Sequence, residues 1–340
     1  MADLIIMAGN SSDEEISAVI EKVKSLGFGI NLSKGKEKII IGIIGDTRGL
    51  SEEIFLSFPG VIEVINILKD YKLVSREFHS EDSSFSIENV LVDRNHLVVV
   101  AGPCSVESME QMIKTAKFIQ SCGGKILRGG AYKPRTSPYS FTGLGKEGLE
   151  ILKEVKKQTG LPVVTEVMTP EEVDIVAEVA DMLQIGARNM YNYRLLERVG
   201  RTQIPVLLKR SFQATISELL SCTEYILKEG NSKVILCERG IRTFDSQFTR
   251  NCLDLNAIPV LKKETHLPVF VDPSHGTGKR DLVIPMSRAA IAAGADGLVI
   301  EVHPKPEEAL SDGFQSLTFE MFERLMKEIQ PFAKIMGRTV

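Results

Sequence analysis

Two textures of apolar and polar positions divide the chain. Within residues 1–70, Leu4-Ile5-Ile6-Met7 is a short apolar run, and Ser12 stands where it would cap a helix over residues 13–26. Ile16, Val19, Ile20 and Val23 recur there at helical spacing, and Gly27 and Gly29 end the segment. A weak strand near Ile30-Asn31-Leu32 precedes a strong one over residues 39–44. Ser51-Glu52-Glu53 opens a short helix that Pro59-Gly60 closes, and residues 61–65 form a last strand. The order βαββαβ is that of a ferredoxin-like domain. Residues 1–70 gather no cluster of chemical side chains, so they read as a regulatory or assembly module. Residues 71–96 read as linker and hairpin, because the stretch 75–89, rich in Ser, Glu and Asp, has the composition of a linker or surface hairpin.

From residue 97 to residue 340 the pattern becomes a repeated alternation of strand and helix. Apolar runs at 97–101, 125–128, 162–166, 182–186, 205–209, 233–237, 268–272 and 297–301 are nearly continuous, as expected of parallel strands buried on both faces. Helical spacing fills the gaps, for example at 109–120, 147–157, 171–180 and 285–293. Eight such units predict an α/β fold, a closed (β/α)8 TIM barrel preceded by the small ferredoxin-like domain. No G-x-G-x-x-G or P-loop follows the first of these strands, which weighs against a nucleotide-binding sheet. Gly276-Thr277-Gly278-Lys279 resembles part of a phosphate loop but lacks its spacing.

Composition changes this picture little. Of 340 residues 43% are hydrophobic and 25% charged, and the formal net charge is −4, which gives no general reason to expect nucleic-acid or membrane partners. No apolar run approaches the roughly 20 residues that span a bilayer, and Met1-Ala2-Asp3-Leu4 is not a secretory signal. The five cysteines form no C-x-x-C pair and are odd in number, which argues against a disulfide framework and for a cytoplasmic setting.

Chemistry in such barrels lies at the C-terminal ends of the strands. Those ends carry Cys104, Arg128, Glu166, Arg188, Lys209 with Arg210, Glu238 with Arg239, Asp272 with His275, and Glu301 with His303. Ion pairs that merely close the mouth account for part of this set, with Glu166, Glu238 and Asp272 the best candidates. Taken singly, each lysine or arginine is more often a solvated surface charge. As a group in a net-acidic protein, Arg128, Lys133, Arg135, Arg188, Lys209 and Arg239 point to ligands with more than one anionic group. Cys104, His275 and Glu301 end the first, seventh and eighth strands, which adjoin where a barrel closes, and Asp312 follows the eighth. One thiolate, one imidazole and two carboxylates could hold a divalent ion, against the ordinary alternatives of an inert buried thiol and a hydrogen-bonded core histidine.

Several motifs together carry a family resemblance. Gly102-Pro103-Cys104-Ser105, residues 127–137 (LRGGAYKPRTS), Ile185-Gly186-Ala187-Arg188-Asn189, Cys237-Glu238-Arg239-Gly240 and Asp272-Pro273-Ser274-His275 resemble 3-deoxy-D-arabino-heptulosonate 7-phosphate (DAHP) synthase, in the short form with an N-terminal ferredoxin-like domain. The resemblance covers essentially the whole chain. It implies the first step of the shikimate pathway, in which phosphoenolpyruvate joins D-erythrose 4-phosphate. Arg128, Lys133, Arg188, Lys209 and Arg239 would take phosphoenolpyruvate. Lys133, Pro134, Arg135, Thr136 and Ser137 would take the aldose phosphate, and the sequence of this loop favours erythrose 4-phosphate over the arabinose 5-phosphate of the related 3-deoxy-manno-octulosonate 8-phosphate synthases. Metal ligation falls on Cys104, His275, Glu301 and Asp312, with one divalent ion per subunit (manganese, iron, zinc, cobalt or similar). The catalytic set is then Lys133, Cys104 and His275, with Lys133 as proton donor. The resemblance further implies a homotetramer, feedback inhibition by tyrosine or phenylalanine through residues 1–70, and neither nucleic-acid nor membrane partners. Two competing readings are a Schiff-base aldolase with Lys209 as nucleophile and an effector-binding protein whose barrel has lost activity.

Overall fold

The capping signal at Ser12 works in both directions. Its Oγ accepts the Glu15 backbone N–H at 3.2 Å while the Glu15 carboxylate accepts the Ser12 N–H at 2.8 Å, so two amides that the first turn cannot pair internally are satisfied. The computed structural model describes every residue except 1, 36, 48, 66–70, 135, 136, 138 and 246. The chain divides into two compact units, Met1–Glu81 and Asp82–Val340.

In the first unit β1 (Leu4–Ala8), α1 (Asp13–Ser25), β2 (Gly29–Lys34), β3 (Lys38–Ile44), α2 (Glu53–Leu56) and β4 (Val61–Ile65) follow one another. The strands pair antiparallel in the order β2-β3-β1-β4, the ferredoxin-like arrangement read from the sequence. Ile16, Val19 and Val23 of α1 bury their stripe against Ile5, Met7, Ile41 and Ile43 of the sheet.

The second unit opens with a hairpin, β5 (Phe85–Ile87) and β6 (Val90–Val92). Part of the stretch expected to be a linker or surface hairpin is therefore core: Ile87 is 1% exposed and joins Val92 in the cluster that fills the barrel. The polar residues before it hid an apolar face that only tertiary packing uses. The barrel strands are β7 (Val98–Gly102), β8 (Ile126–Arg128), β9 (Val163–Glu166), β10 (Met182–Ile185), β11 (Val206–Lys209), β12 (Val234–Glu238), β13 (Val269–Val271) and β14 (Gly297–Glu301). They close in chain order, β14 pairing parallel with β7 from Gly297↔Val98 to Glu301↔Gly102. The predicted (β/α)8 architecture is borne out. Val98, Val100, Ile126, Leu207, Ile235 and Phe270 point inward and fill the interior.

Around the strands run α3 (Met109–Ser121), α4 (Lys146–Thr159), α5 (Val173–Ala177), α6 (Tyr193–Arg201), α7 (Ile216–Lys228), α8 (Ala257–Glu264), α9 (Pro273–Thr277), α10 (Arg280–Ala292) and α11 (Phe319–Ile335). Two differ from the periodicity. The segment 171–180 begins as a 3₁₀ turn at Pro170–Glu172, so α5 proper is short. The helix expected to start at Pro285 starts at Arg280 and carries Pro285 inside it, because its buried stripe already includes Val283 and Ile284. Gly276 and Gly278 end a helix rather than open one: Gly278, at φ 66°, caps α9 at its C-terminus. The next helix, α10, opens two residues later at Arg280, and the run still lacks the spacing of a phosphate loop. Among the described residues no helix is long and apolar enough to cross a membrane.

Candidate active site at the barrel mouth

The closure of the barrel builds the first half of the site. Because Glu301 lies in register with Gly102, the β7 and β14 ends bring Cys104 and Glu301 together. Gly102 permits a close approach on the other side, to β8: at φ 150° a Cβ would sit 2.0 Å from the Arg128 carbonyl oxygen. One oxygen or sulfur from each of Cys104, Glu301 and Asp312 lies within 4.8 Å of the others. The Cys104 thiol donates to Asp312 Oδ2 at 3.4 Å. His275 Nε2 is 3.5 Å from Glu301 Oε1 and 3.8 Å from Asp312 Oδ2, so the fourth donor expected from the sequence borders the two carboxylates but does not join the group of three whose atoms all lie within 4.8 Å of one another.

The other ring nitrogen fixes this orientation. His275 Nδ1 donates to Asp272 Oδ2 at 2.7 Å, leaving the Nε2 lone pair toward the cluster, as a metal-ligating histidine requires. Burial pushes the imidazole below its ordinary pKa, which keeps it neutral. Burial opposes ionisation of Asp272, yet the His275 ring and the Lys209 ammonium hold its carboxyl well below the usual range. The Cys104 thiol is pushed up to about 12 by burial and then by the Glu301 carboxylate. Such a thiol loses its proton only to a cation that replaces it. Soft sulfur and two carboxylates around one point, with a neutral imidazole beside the carboxylates, are donors that suit a divalent transition ion.

Beside this cluster a cavity of about 290 Å³ opens, lined by Arg128, Lys133, Arg188, Lys209, Arg239 and His275 among others. Pro134 and Ser137 border it too, whereas Arg135 and Thr136 lie outside the described residues. Nearly all of its cations come from strand ends. The anions expected to be structural are partners here: Lys209 Nζ donates to Asp272 Oδ2 at 2.5 Å, and Lys133 Nζ is 3.9 Å from Glu166 Oε2. Glu238 is spent elsewhere, on Arg210 at 2.9 Å. Burial pushes the Lys133 ammonium down, but Cys104 and Glu166 outweigh it and raise it above an ordinary lysine. Among the described residues the guanidinium groups of Arg188 and Arg239 meet no carboxylate, and Arg239 is only 7% exposed. A buried, unpaired guanidinium is costly unless a ligand supplies the anion.

Comparison with known sequences gives this arrangement its context. The DAHP synthetase I family matches residues 82–336, and the DAHP synthase ferredoxin-like domain matches residues 4–69. The chain belongs to the DAHP synthetase I family. A phospho-2-dehydro-3-deoxyheptonate aldolase of Thermotoga maritima is 52% identical over 337 residues, 99% of each chain. The crystal structure of a Thermotoga maritima protein of that name, also called DAHP synthase, superposes with a TM-score of 0.79 at 51% identity, over 99% of this chain and 98% of that one. A 2-dehydro-3-deoxyphosphooctonate aldolase of Syntrophobacter fumaroxidans is more distant, 32% identical over 76% of this chain and 94% of that protein. The resemblance read from the motifs is borne out, and DAHP synthases are generally metal-dependent enzymes.

Sequence reading missed the groups that brace the site. Gln315 is fully buried and donates through Nε2 to Glu301 Oε2 at 2.5 Å, while its Oε1 accepts from Arg250 Nη1 at 3.1 Å. Arg250 also lines the cavity. Both stand in irregular loops, where a glutamine or an arginine carries no periodic signal. Asp312 itself adopts φ 47°, a left-handed turn that aspartate tolerates better than most residues. The turn is pinned by Arg280 Nη2, which donates to the Gly313 carbonyl at 2.8 Å.

Proposed function

We infer that the protein condenses phosphoenolpyruvate with D-erythrose 4-phosphate and water, giving 3-deoxy-D-arabino-heptulosonate 7-phosphate and phosphate, the first step of the shikimate pathway. The observation that carries this reading is one cavity lined both by His275 and Asp312 and by Arg188 and Arg239, cations without acidic partners among the described residues. Phosphoenolpyruvate brings two anionic groups, and Arg128, Lys209, Arg188 and Arg239 suffice to hold both. Pro134 and Ser137 border the other side, next to Lys133, where the aldose phosphate would lie with Arg135 and Thr136.

Cys104, His275, Glu301 and Asp312 would hold one divalent ion per subunit, which when bound polarises the aldehyde oxygen. The protein's own groups do the rest. The cations fix phosphoenolpyruvate so that its C3 faces the aldehyde carbon, and a C–C bond forms there. Lys133 gives a proton to the resulting alkoxide. Water adds at C2, and the C2–O bond breaks to release phosphate, whose charge Arg188 and Arg239 offset. Lys209 does not suit the Schiff-base alternative, because its nitrogen is held by the Asp272 carboxylate at 2.5 Å and imine formation needs a free amine.

Residues 1–81 fit an effector-binding unit, and tyrosine or phenylalanine is the proposed inhibitor, in a homotetramer. The five cysteines are unpaired, which suits a cytoplasmic protein.

Phosphate release tests the substrate assignment. Turnover with phosphoenolpyruvate and erythrose 4-phosphate should exceed that with arabinose 5-phosphate by about a hundredfold or more, and borohydride should trap no adduct with a keto substrate. Preference for the five-carbon sugar, or a borohydride-stable bond at Lys209, would overturn it.

A further inference from the structure

A second cavity of about 230 Å³ adjoins the first. Arg188, Arg239 and Arg250 line both, while Phe212, Arg242 and Asn251 belong to the second alone. Among the described residues no carboxylate borders it. Arg242 is anchored for this position: its backbone N–H donates to the Phe212 carbonyl at 2.6 Å, and its guanidinium lies 4.7 Å from the Phe212 ring centroid. Among the described residues that guanidinium meets no acidic partner. Nearby Arg210 is the contrast, for it is satisfied by the Ala214 carbonyl, Glu238 and Asp254 within 2.9 Å. Arg239 is pushed below the usual arginine value, first by burial and also by the neighbouring charge of Arg250. Arg250 is partly offset by Asp312 at 3.7 Å, but Arg188, Arg239 and Arg242 have no acidic partner among the described residues, and an oxyanion is the ligand chemistry that relieves them.

We propose that this second cavity is an exit subsite for the inorganic phosphate released by the condensation, with Arg242 as its outer cation. The inference rests on the reading that phosphoenolpyruvate places its phosphate on Arg188 and Arg239. The direction of exit follows from the walls. The second cavity shares the arginines of the phosphoenolpyruvate side and none of the residues Lys133, Pro134 and Ser137 that border the aldose side. After C2–O cleavage the free phosphate passes from Arg188 and Arg239 to Arg242 and Asn251, a position that does not overlap the phosphate of a bound phosphoenolpyruvate. The first cavity is then clear for the product's departure.

The test uses the metal-loaded full-length enzyme and inorganic phosphate as inhibitor, at ionic strength matched with potassium chloride. An exit subsite binds phosphate while phosphoenolpyruvate is in place, so inhibition should persist at saturating phosphoenolpyruvate. In Arg242→Gln this residual inhibition should weaken about tenfold, the loss of one charge-assisted contact, and Arg242→Lys should restore part of it. KM for phosphoenolpyruvate should stay within about twofold of wild type. Inhibition that vanishes at saturating phosphoenolpyruvate, or that Arg242→Gln leaves unchanged, overturns the proposal. So does residual inhibition relieved by saturating erythrose 4-phosphate, which would make this the aldose-phosphate subsite. Arg188→Ala and Arg239→Ala separate the two readings. If neither raises KM for phosphoenolpyruvate, the underlying substrate assignment fails; if both do and Arg242→Gln is silent, only the exit subsite falls.

Discussion

Arg128 Nη1 donates a hydrogen bond to Glu301 Oε1 at 3.0 Å, with both side chains almost completely buried. A cation assigned to substrate thus orients a carboxylate assigned to the metal. Burial alone would raise the Glu301 carboxyl, but His275 and Arg128 keep it below the usual value, so it is ionised and ready to ligate.

Replacing Arg128 should therefore disturb both halves of the site. Arg128→Lys keeps a charge but loses the planar fork. We expect kcat/KM for phosphoenolpyruvate to fall roughly 10- to 100-fold and retention of the divalent ion during dialysis to weaken about tenfold. If only the ion is affected, Arg128 positions Glu301 and does not touch substrate.

Gly102→Ala should be among the most damaging single-methyl additions, since the new Cβ would meet the Arg128 carbonyl oxygen 2.0 Å away. A cost of about 2–4 kcal/mol in unfolding free energy is expected, with a loss of metal retention as Cys104 and Arg128 shift apart. Denaturant titration of the metal-stripped protein checks the first part; a cost under about 0.5 kcal/mol would mean the strand ends approach less closely.

Buried thiols give a pH dependence with a definite sign. Burial pushes Cys222 up to about 11 and Cys237 higher still, whereas an unfolded thiol ionises near about 8.5. Folding thus favours the protonated form. The contribution is fully present below about pH 8.5 and is lost as pH rises toward the folded values, by about 1.4 kcal/mol per pH unit per thiol. Urea midpoints of metal-stripped protein should fall from pH 8.5 to 10, and less steeply in Cys237→Ala. Parallel slopes for the two proteins would contradict this.

Much of this was legible in the chain because parallel barrel strands are continuous apolar runs, and a charge at the end of such a run stands out. Cys104, Arg128, His275 and Glu301 were visible on that ground, and register then set them side by side. Gln315 and Arg250 were not visible, because their importance lies in partners far away in sequence that only the closed barrel brings near. The spacing of Gly276 and Gly278 already argued against a phosphate loop, and Gly278 caps the end of a short helix.

The two units divide the labour in the proposed function. A chain of residues 82–340 should keep the condensation and lose inhibition by tyrosine or phenylalanine. Inhibition that survives the truncation would remove the effector assignment from the first unit.

The most direct test of the shared metal and anion site is phosphate release from phosphoenolpyruvate and erythrose 4-phosphate while metal-stripped protein is titrated with Mn²⁺. The rate should rise from background and level off at one ion per chain, and Cys104→Ser should show little rise at the same ion concentrations. A full rate in chelator before any ion is added, or an unchanged titration in Cys104→Ser, would contradict the account.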